Sequence, residues 1–307
     1  MNNYENEIRK RFVLQKEYLG EDKPVNKIKP VLSICIQTYN HEKFIGQALD
    51  SILNQKTSFN FEIIIGEDDS KDNTRNICIE YANKYPDKIR LFLRDRSLSH
   101  LFDENGNLVR RLNGIWTRFS ARGEYIALME GDDYWIDPLK LEKQINFLVS
   151  NPDYLFCCHR SHISKSNELV GVRPKRAVKS VQLENNLIRK TLHTTSLVFK
   201  NIKELNDALI TYGLNFSTGD YFITLFLASR GPGYLFPDVM GVYRVHSGGV
   251  YSPLGEIKKL QMGIHNRRAA LKHIPMNFKQ KMICRLMILL RQIKILSLKV
   301  RGLFKRG

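Results

Sequence analysis

Between Val31 and Ser150 the chain alternates short apolar runs with longer stretches whose apolar residues recur every three or four positions. The runs VLSICIQ, FEIIIGE, KIRLFLR and EYIALME are short, apolar and bounded by polar residues, which predicts buried strands. Between the first two, HEKFIGQALDSILNQ sets Phe44, Ile45, Ala48, Leu49, Ile52 and Leu53 on one helical face. DDSKDNTRNICIEYANKY predicts a second helix, with Ser70 as its cap and Ile77 and Tyr81 facing inward. DPLKLEKQINFL predicts a third, capped by Asp137 with Pro138 at its first position. Strands alternating with helices of this length imply an open, largely parallel α/β sheet flanked by helices.

The alternation stops in two places. Arg94 to Arg122 is polar and predicts a long loop, at that length a candidate lid. Beyond Asn151 the pattern thins: YLFCCH and TSLVF predict strands, DYFITLFLAS an apolar helix, and YLFPDVMGVYRV a strand pair with a break. The division that follows is a polar, partly helical lead-in over 1–29 that ends at Pro24 and Pro30, a main domain over 30–252, and a basic helical extension over 253–307.

A chain of 307 residues, 43% of them hydrophobic, can bury one large core with a helical appendage. Its five cysteines are odd in number and form no CxxC, which argues against a disulfide framework or zinc ribbon and suits a reducing cytoplasm. In CCHRSH, Cys157 and Cys158 point to opposite faces of a strand, so they do not readily share an ion with His159 and His162. The charged opening MNNYENEIRKRFVLQKEYLG has no secretory core, and no apolar run approaches the ~18 residues of a membrane span; the expectation is a protein that does not cross a bilayer.

The net charge of +17 is unevenly spread, because residues 276–307 hold nine Lys or Arg and no acid. There Met282, Leu286, Leu289, Ile293, Leu296 and Val300 recur at spacings of four and three, with Lys279, Lys281, Arg285, Arg291 and Lys294 mostly off the stripe. This predicts a helix lying on an anionic membrane surface. A coiled-coil dimer would repel itself for want of acids, and packing against the main domain is the alternative. No helix-turn-helix, RNP-like or C2H2 pattern accompanies the charge, so nucleic acid is not an expected partner. Lys200 and the RPKR stretch, Arg173 to Arg176, read as solvated loop charge or else as contacts to a phosphate-bearing acceptor.

In EYIALMEGDDYW a strand runs directly into Glu130, Asp132 and Asp133. Carboxylates held that close raise one another's pKa, which predicts a cation or a set of donors among them. Ligands of open α/β sheets sit beyond the carboxyl ends of the strands, so Gln37 to Asn40, Glu67 to Asp69 and Glu130 to Asp133 converge on one crevice. Neither GxGxxG nor GxxxxGK occurs. The turn QTYNHEKF can instead hold a nucleoside base by stacking and hydrogen bonds. By itself the acidic stretch also fits a solvated turn ahead of a helix, with Asp133 helping a cap.

SICIQTYNHEKFIGQALDSILNQ, EIIIGEDDSKDNT and ARGEYIALMEGDDYWIDPLKLEKQ together resemble the signature segments of the family 2 glycosyltransferases of GT-A fold, in the branch that carries EGDDYW. The resemblance is strong over Val31–Ser150 and extends weakly to about Ser252. It implies that Thr38, Tyr39 and Asn40 line a nucleotide pocket and that Asp68 accepts a hydrogen bond from uracil. Asp132 would ligate a divalent cation, Mn2+ or Mg2+, that bridges the diphosphate of a sugar nucleotide. Glu130 replaces the first aspartate of the family's DxD and would face ribose or a metal-bound water. STGDYFITL resembles the family's later acidic motif, with Gly219 where glutamate is common and Asp220 as general base. YRVHSGGVYS places His246 at the metal or diphosphate, and Asn113 matches a donor-contacting asparagine. Taken singly, Asp220 is nearly as well explained as a helix cap, and His246 as a turn histidine.

The activity so implied is a metal-dependent, inverting transfer of a sugar from a nucleotide donor, UDP-linked, to a hydroxyl of a glycan or lipid-linked oligosaccharide. It belongs to cell-surface polysaccharide synthesis at the cytoplasmic face of the membrane. Two alternatives stand beside it. A nucleotidyltransferase would carry a Gly-rich signature with an early basic residue, absent here. A non-catalytic sugar-nucleotide or glycan-binding protein would keep Asp68 without needing Asp132 or Asp220.

Overall fold

The computed structural model describes residues 3–20, 29–175, 180–188, 192–249, 251 and 253–303; Pro24, Arg176, Ser252 and the last four residues of the basic tail lie outside them. The chain opens with α1 (Asn3–Val13) and β1 (Glu17–Tyr18), followed by β2 (Leu32–Thr38), α2 (Ile45–Leu53), β3 (Phe61–Glu67), α3 (Thr74–Lys84) and β4 (Ile89–Leu93). Next come α4 (Arg96–Ser99), β5 (His100–Phe102), β6 (Leu108–Arg111), α5 (Asn113–Phe119), β7 (Tyr125–Glu130), β8 (Tyr134–Trp135) and α6 (Lys140–Ser150). The second half runs β9 (Phe156–Lys165), β10 (Glu168–Arg173), β11 (Ser180–Val181), α7 (Leu183–Ile188), β12 (Val198–Lys200), α8 (Lys203–Thr211), α9 (Gly219–Ala228), β13 (Gly233–Val245), α10 (Glu256–His273) and α11 (Phe278–Leu303).

One mixed sheet carries the order β1-β4-β3-β2-β7-β12-β9-β13-β11, with β10 beside β9 and β8 beside β13. Its long pairings are parallel: β2 with β3 and β7, β3 with β4, and β13 with β9. The remaining pairings, including β12 between β7 and β9, are antiparallel. Because β2 lies between β3 and β7, the strand order reverses there and opens a crevice at their carboxyl ends.

Side chains alternate across the sheet, so β2 feeds two cores. Leu32, Ile34 and Ile36 pack with Ile63, Ile65 and the buried faces of α2, α3 and α6. Cys35, Ile64, Ile126 and Leu128 face the other way, toward residues of α7, α8, α9 and α10 and Cys284 of α11. The same geometry sends Cys157 into the first core and Cys158 into the second. Both faces being covered, the central strands read as continuous apolar runs.

Four local expectations change. Arg94 to Arg122 is not a loop: α4, the β5–β6 hairpin and α5 fill it, and Leu101, Leu112, Ile115 and Trp116 form a small core with Ile8 of α1. The hairpin turns on Asp103, whose Oδ1 accepts from Asn105 N and Asn107 N, with Gly106 at φ +79°. β13 is one strand and not a broken pair; register shifts between Phe236 and Val239 and between Val239 and Gly241 absorb Pro237. Ser70 does not cap α3, which starts at Thr74, where Asp72 Oδ1 accepts from the Thr74 amide at 3.0 Å. Asp137 accepts from Leu139 N at 2.9 Å, as a cap would, but the hydrogen-bonded helix begins only at Lys140.

Candidate active site

β2 ends at Thr38, and the turn after it is laced to the turn after β3. Asn40 N donates to Ser70 Oγ, Lys71 N to Asn40 Oδ1 and His41 N to Thr74 Oγ1, at 3.0, 2.9 and 2.7 Å. Asn40 sits at φ +53°, a left-handed conformation that asparagine tolerates better than most residues. Its side chain is thereby committed to holding two turns together. The Tyr39 ring carries the Arg96 guanidinium 3.5 Å above its centre.

Asp68, at the end of β3, is 4% exposed. Its Oδ1 accepts from Ser99 Oγ at 2.9 Å, while Oδ2 faces His100 Nε2 at 3.3 Å and Arg96 Nη2 at 3.5 Å. All three partners come from the segment that the sequence pattern predicts as loop. Asn113 lies just behind, its Nδ2 donating to Gly66 O at 2.8 Å and its Oδ1 accepting from Arg94 Nε at 3.2 Å. A Cβ on Gly66 would stand 2.0 Å from that Oδ1, so glycine is required for the approach. The Asn113 amide thus braces the end of β3.

The three carboxylates after β7 meet three different environments. Glu130 Oε1 accepts from Gln37 Nε2 at 3.2 Å. Asp132 Oδ2 lies 2.9 Å from His246 Nε2 and 3.8 Å from His41 Nε2. Burial pushes the Asp132 pKa upward, but the His246 hydrogen bond and the two imidazoles outweigh it and hold the group below its ordinary value. Asp133 is 1% exposed, and its Oδ1 accepts from Arg244 N at 2.9 Å. Burial, and then the neighbouring Asp132, raise its pKa well above the usual range. Gly131 between them lets the turn close, since a Cβ there would stand 2.6 Å from Thr38 Oγ1.

The donor set at Asp132 and His246 suits a divalent cation that also takes phosphate oxygens and water, as hard cations do when one or two carboxylates hold them. Among the described residues, no group of three His, Cys, Asp or Glu is placed to hold a metal without such help.

Asp220 lies in the first turn of α9, after Thr218 at the cap. Its Oδ2 accepts from Thr194 Oγ1 and its Oδ1 from Tyr221 N, both at 2.7 Å. Thr195, next in the chain to Thr194, donates to Met129 Sδ at 2.8 Å. Because Met129 immediately precedes Glu130, this pair of threonines ties Asp220 to the end of β7. Thr38, Asp68, Glu130, Asp132 and His246 gather at the strand ends, with Asp220 joined to them from the second half of the sheet.

Sequence reasoning passed over His41, Ser99, His100 and Arg244. His41 was visible in QTYNHEKF at three positions past Thr38, whose Oγ1 lies 3.2 Å from its Nδ1. Arg244 stands two residues before His246; its Nη1 donates to Asp132 O at 2.6 Å and its guanidinium also meets Gln47 Oε1. Ser99 and His100 carried no signal, because their partner Asp68 is 31 and 32 residues away in the chain.

The model of glycosyl transferase family 2 matches residues 33–101. The chain is 33% identical over 230 residues to an uncharacterized protein of Mycobacterium tuberculosis, a match that covers 72% of this chain and 60% of that relative. With an uncharacterized glycosyltransferase of Rickettsia typhi it shares 30% over 228 residues, 72% of this chain and 66% of the relative. The chain therefore spans 60% to 66% of the length of these relatives. Among solved structures, Staphylococcus aureus TarS 1–349 in complex with UDP-GlcNAc is similar with a TM-score of 0.61 at 17% identity, over 86% of this chain and 72% of that one. The mannosyltransferase PcManGT of Pyrobaculum calidifontis, in complex with GDP-Man and Mn2+, gives a TM-score of 0.59 at 18% identity, over 93% and 75%. With its acids gathered at the switch point of a mixed sheet shared with such proteins, the chain belongs to family 2 of the glycosyltransferases and has the GT-A fold.

Proposed function

We propose that the protein transfers a sugar, with inversion, from a UDP-linked donor to a hydroxyl of a glycan or lipid-linked acceptor in cell-surface polysaccharide synthesis. The observation that carries this reading is the placement of Asp132 against His246 beside the turn that holds Thr38, with Asp68 on the adjoining strand end. Tyr39 offers a face for the base and Asp68 an acceptor for its N–H, held in place by Ser99 and His100. Asp132 and His246 would hold a divalent cation. That cation, when bound, offsets charge on the departing diphosphate. Asp220, oriented by the Thr194 hydroxyl, takes the proton of the attacking hydroxyl from the opposite side.

Thermal shift with UDP-sugars, with and without Mn2+, followed by product detection tests this reading. Asp132→Asn is expected to abolish Mn2+-dependent stabilisation and transfer. Asp220→Asn is expected to keep donor binding while kcat falls about 10²–10⁴-fold. Donor binding without product in the wild type would favour a binding protein, and turnover of a nucleoside triphosphate a nucleotidyltransferase.

The proposal extends to the cytoplasmic face of the membrane, through α11. That helix packs on α10 and α7, with Cys284 buried and Met287 and Arg291 partly so. Met282, Leu286, Leu289, Ile293, Leu296 and Val300 all point away from the protein and are exposed. Exposed Lys279, Lys281, Arg285 and Lys294 flank them, which suits anionic headgroups around an apolar stripe that enters the lipid.

A further inference from the structure

Two guanidiniums converge beside Asp220 at a point that no other side chain among the described residues approaches within 4 Å. Arg110, on β6, is aimed by its Nη1, which donates to Phe216 O at 2.6 Å. Its Nη2 lies 3.3 Å from where a Cβ on Gly219 would stand, and Nη2 of Arg118, on α5, lies 3.9 Å from the same point. Arg118 is 4% exposed, and its Nε finds no hydrogen-bond partner among the described residues. Gly219 is the first residue of α9, a ten-residue helix whose N-cap, Thr218, makes no side-chain capping bond.

Burial lowers the pKa of both arginines, Arg118 to about 10, and nearby Asp220 opposes the shift in each. Arginine keeps its proton in proteins at neutral pH, so both guanidiniums carry charge. The acids that face Arg118 are Asp220, which already accepts from Thr194 and Tyr221, and Glu130, which accepts from Gln37. A buried guanidinium with an unmet donor is costly unless a ligand supplies acceptors. The planar fork of arginine matches a carboxylate or phosphate, and a helix start adds amide donors and a positive dipole end.

We propose that Arg110, Arg118 and the open start of α9 form a subsite for an acidic group, carboxylate or phosphate, carried by the acceptor or by the transferred sugar. This rests on the reading of Asp220 as the residue beside the reacting hydroxyl. Gly219 is what keeps the subsite open. Any side chain there meets Arg110 Nη2, and an acidic one would neutralise the pair from within the protein.

The test uses the full chain and three binding series, measured for wild type, Arg118→Gln and Gly219→Glu, with melting temperatures as the check on folding. UDP with Mn2+ reports the donor reading by itself. Methyl glucuronide against methyl glucoside, and glycerol 3-phosphate against glycerol, are titrated with and without UDP and Mn2+. UDP-glucuronate against UDP-glucose completes the set. The wild type is expected to prefer the charged member of at least one pair by about tenfold or more, as charge-assisted bonds to arginine would give. Both variants should lose that preference and hold UDP within about twofold of wild type. A preference among the free glycosides or glycerols places the acid on the acceptor, and one among the donors places it on the transferred sugar. Equal binding of charged and neutral members, or a preference that survives both substitutions, overturns the proposal. So does a large loss of UDP affinity in Arg118→Gln, which would assign the pair to the donor diphosphate. If wild type fails to bind UDP, the proposed function falls, and the glycoside and glycerol pairs measured without nucleotide still decide for or against the subsite.

Discussion

Asp68 shows how much of a binding residue's work is done by its neighbours. Its two oxygens are shared among Ser99, His100 and Arg96, so the carboxylate is fixed in direction before any ligand arrives. Burial at 4% exposure makes that fixing necessary, because an unpartnered carboxylate there would be strongly destabilising. A base N–H that meets this carboxylate gains a charge-assisted bond with no reorganisation of the protein. Asp68→Ala is therefore expected to weaken UDP binding by about 1–3 kcal/mol, on the order of tenfold in Kd. Ser99→Ala, which removes one brace and leaves the carboxylate, should weaken it less. Isothermal titration of UDP into the two variants checks the order, and an Asp68→Ala affinity equal to wild type would move the base pocket elsewhere.

At the scale of elements, what the sequence displays is burial on both faces. β2, β3 and β7 are legible because every residue from Leu32 to Ile36 and from Phe61 to Glu67 is buried, so apolar side chains stand on both faces of each strand. α4, β5, β6 and α5 are not legible, because each is short and only some of its side chains reach the small core around Trp116. The acids after β7 were readable as a cluster, but the environments that separate them were not, since His41 reaches them from the turn after β2 and Arg244 from β13. Lys140 is a second kind of surprise: the first residue of α6, fully buried, lies with its Nζ 3.6 Å from the centre of the Trp135 ring. That Nζ finds no hydrogen-bond partner among the described residues, and burial lowers its pKa well below 10.5.

A buried lysine whose pKa is lowered in the fold gives a definite pH signature. Between its lowered native pKa and its ordinary value, the unfolded chain binds one proton more than the native one, so stability rises as pH rises through that window. Only the charged amine draws on the Trp135 face, because the attraction depends on charge. Lys140→Met keeps the length of the side chain and removes the polar end. It is expected to stabilise the protein at pH 7 by about 1–3 kcal/mol, the usual cost of an unpaired buried polar group, and to narrow the gain from pH 7 to pH 10. Urea unfolding of both proteins at the two pH values measures this. Identical pH dependence in the variant would mean that Lys140 is charged in the fold and held by the indole.

At the scale of the whole molecule, α11 makes the second core and the exposed stripe parts of one helix. Cys284 enters the core that also contains Ala269 and Ala270 of α10 and the apolar face of α9. Deleting the tail would therefore open that core, and a loss of membrane binding in such a truncation would not separate adhesion from unfolding. Substitutions on the exposed stripe do separate them. Leu286, Leu289, Ile293 and Leu296 are each about half exposed or more, so changing all four to Gln removes apolar surface that the folded chain already gives to solvent. Lys294 is already paired with Glu256 at 2.6 Å, which leaves Lys279, Lys281 and Arg285 as the better electrostatic probes; their change to Gln should act alongside the apolar set at about 1 kcal/mol per charge. The expected outcome is that wild type sediments with phosphatidylglycerol vesicles and weakly with phosphatidylcholine ones. The apolar variant should stay in solution at an unchanged melting temperature, and the charge variant should lose its preference for the anionic lipid. If the stripe instead joins two copies of the chain, the wild type will show a concentration-dependent doubling of mass by light scattering that the apolar variant lacks, with no lipid dependence in either, and the membrane reading fails.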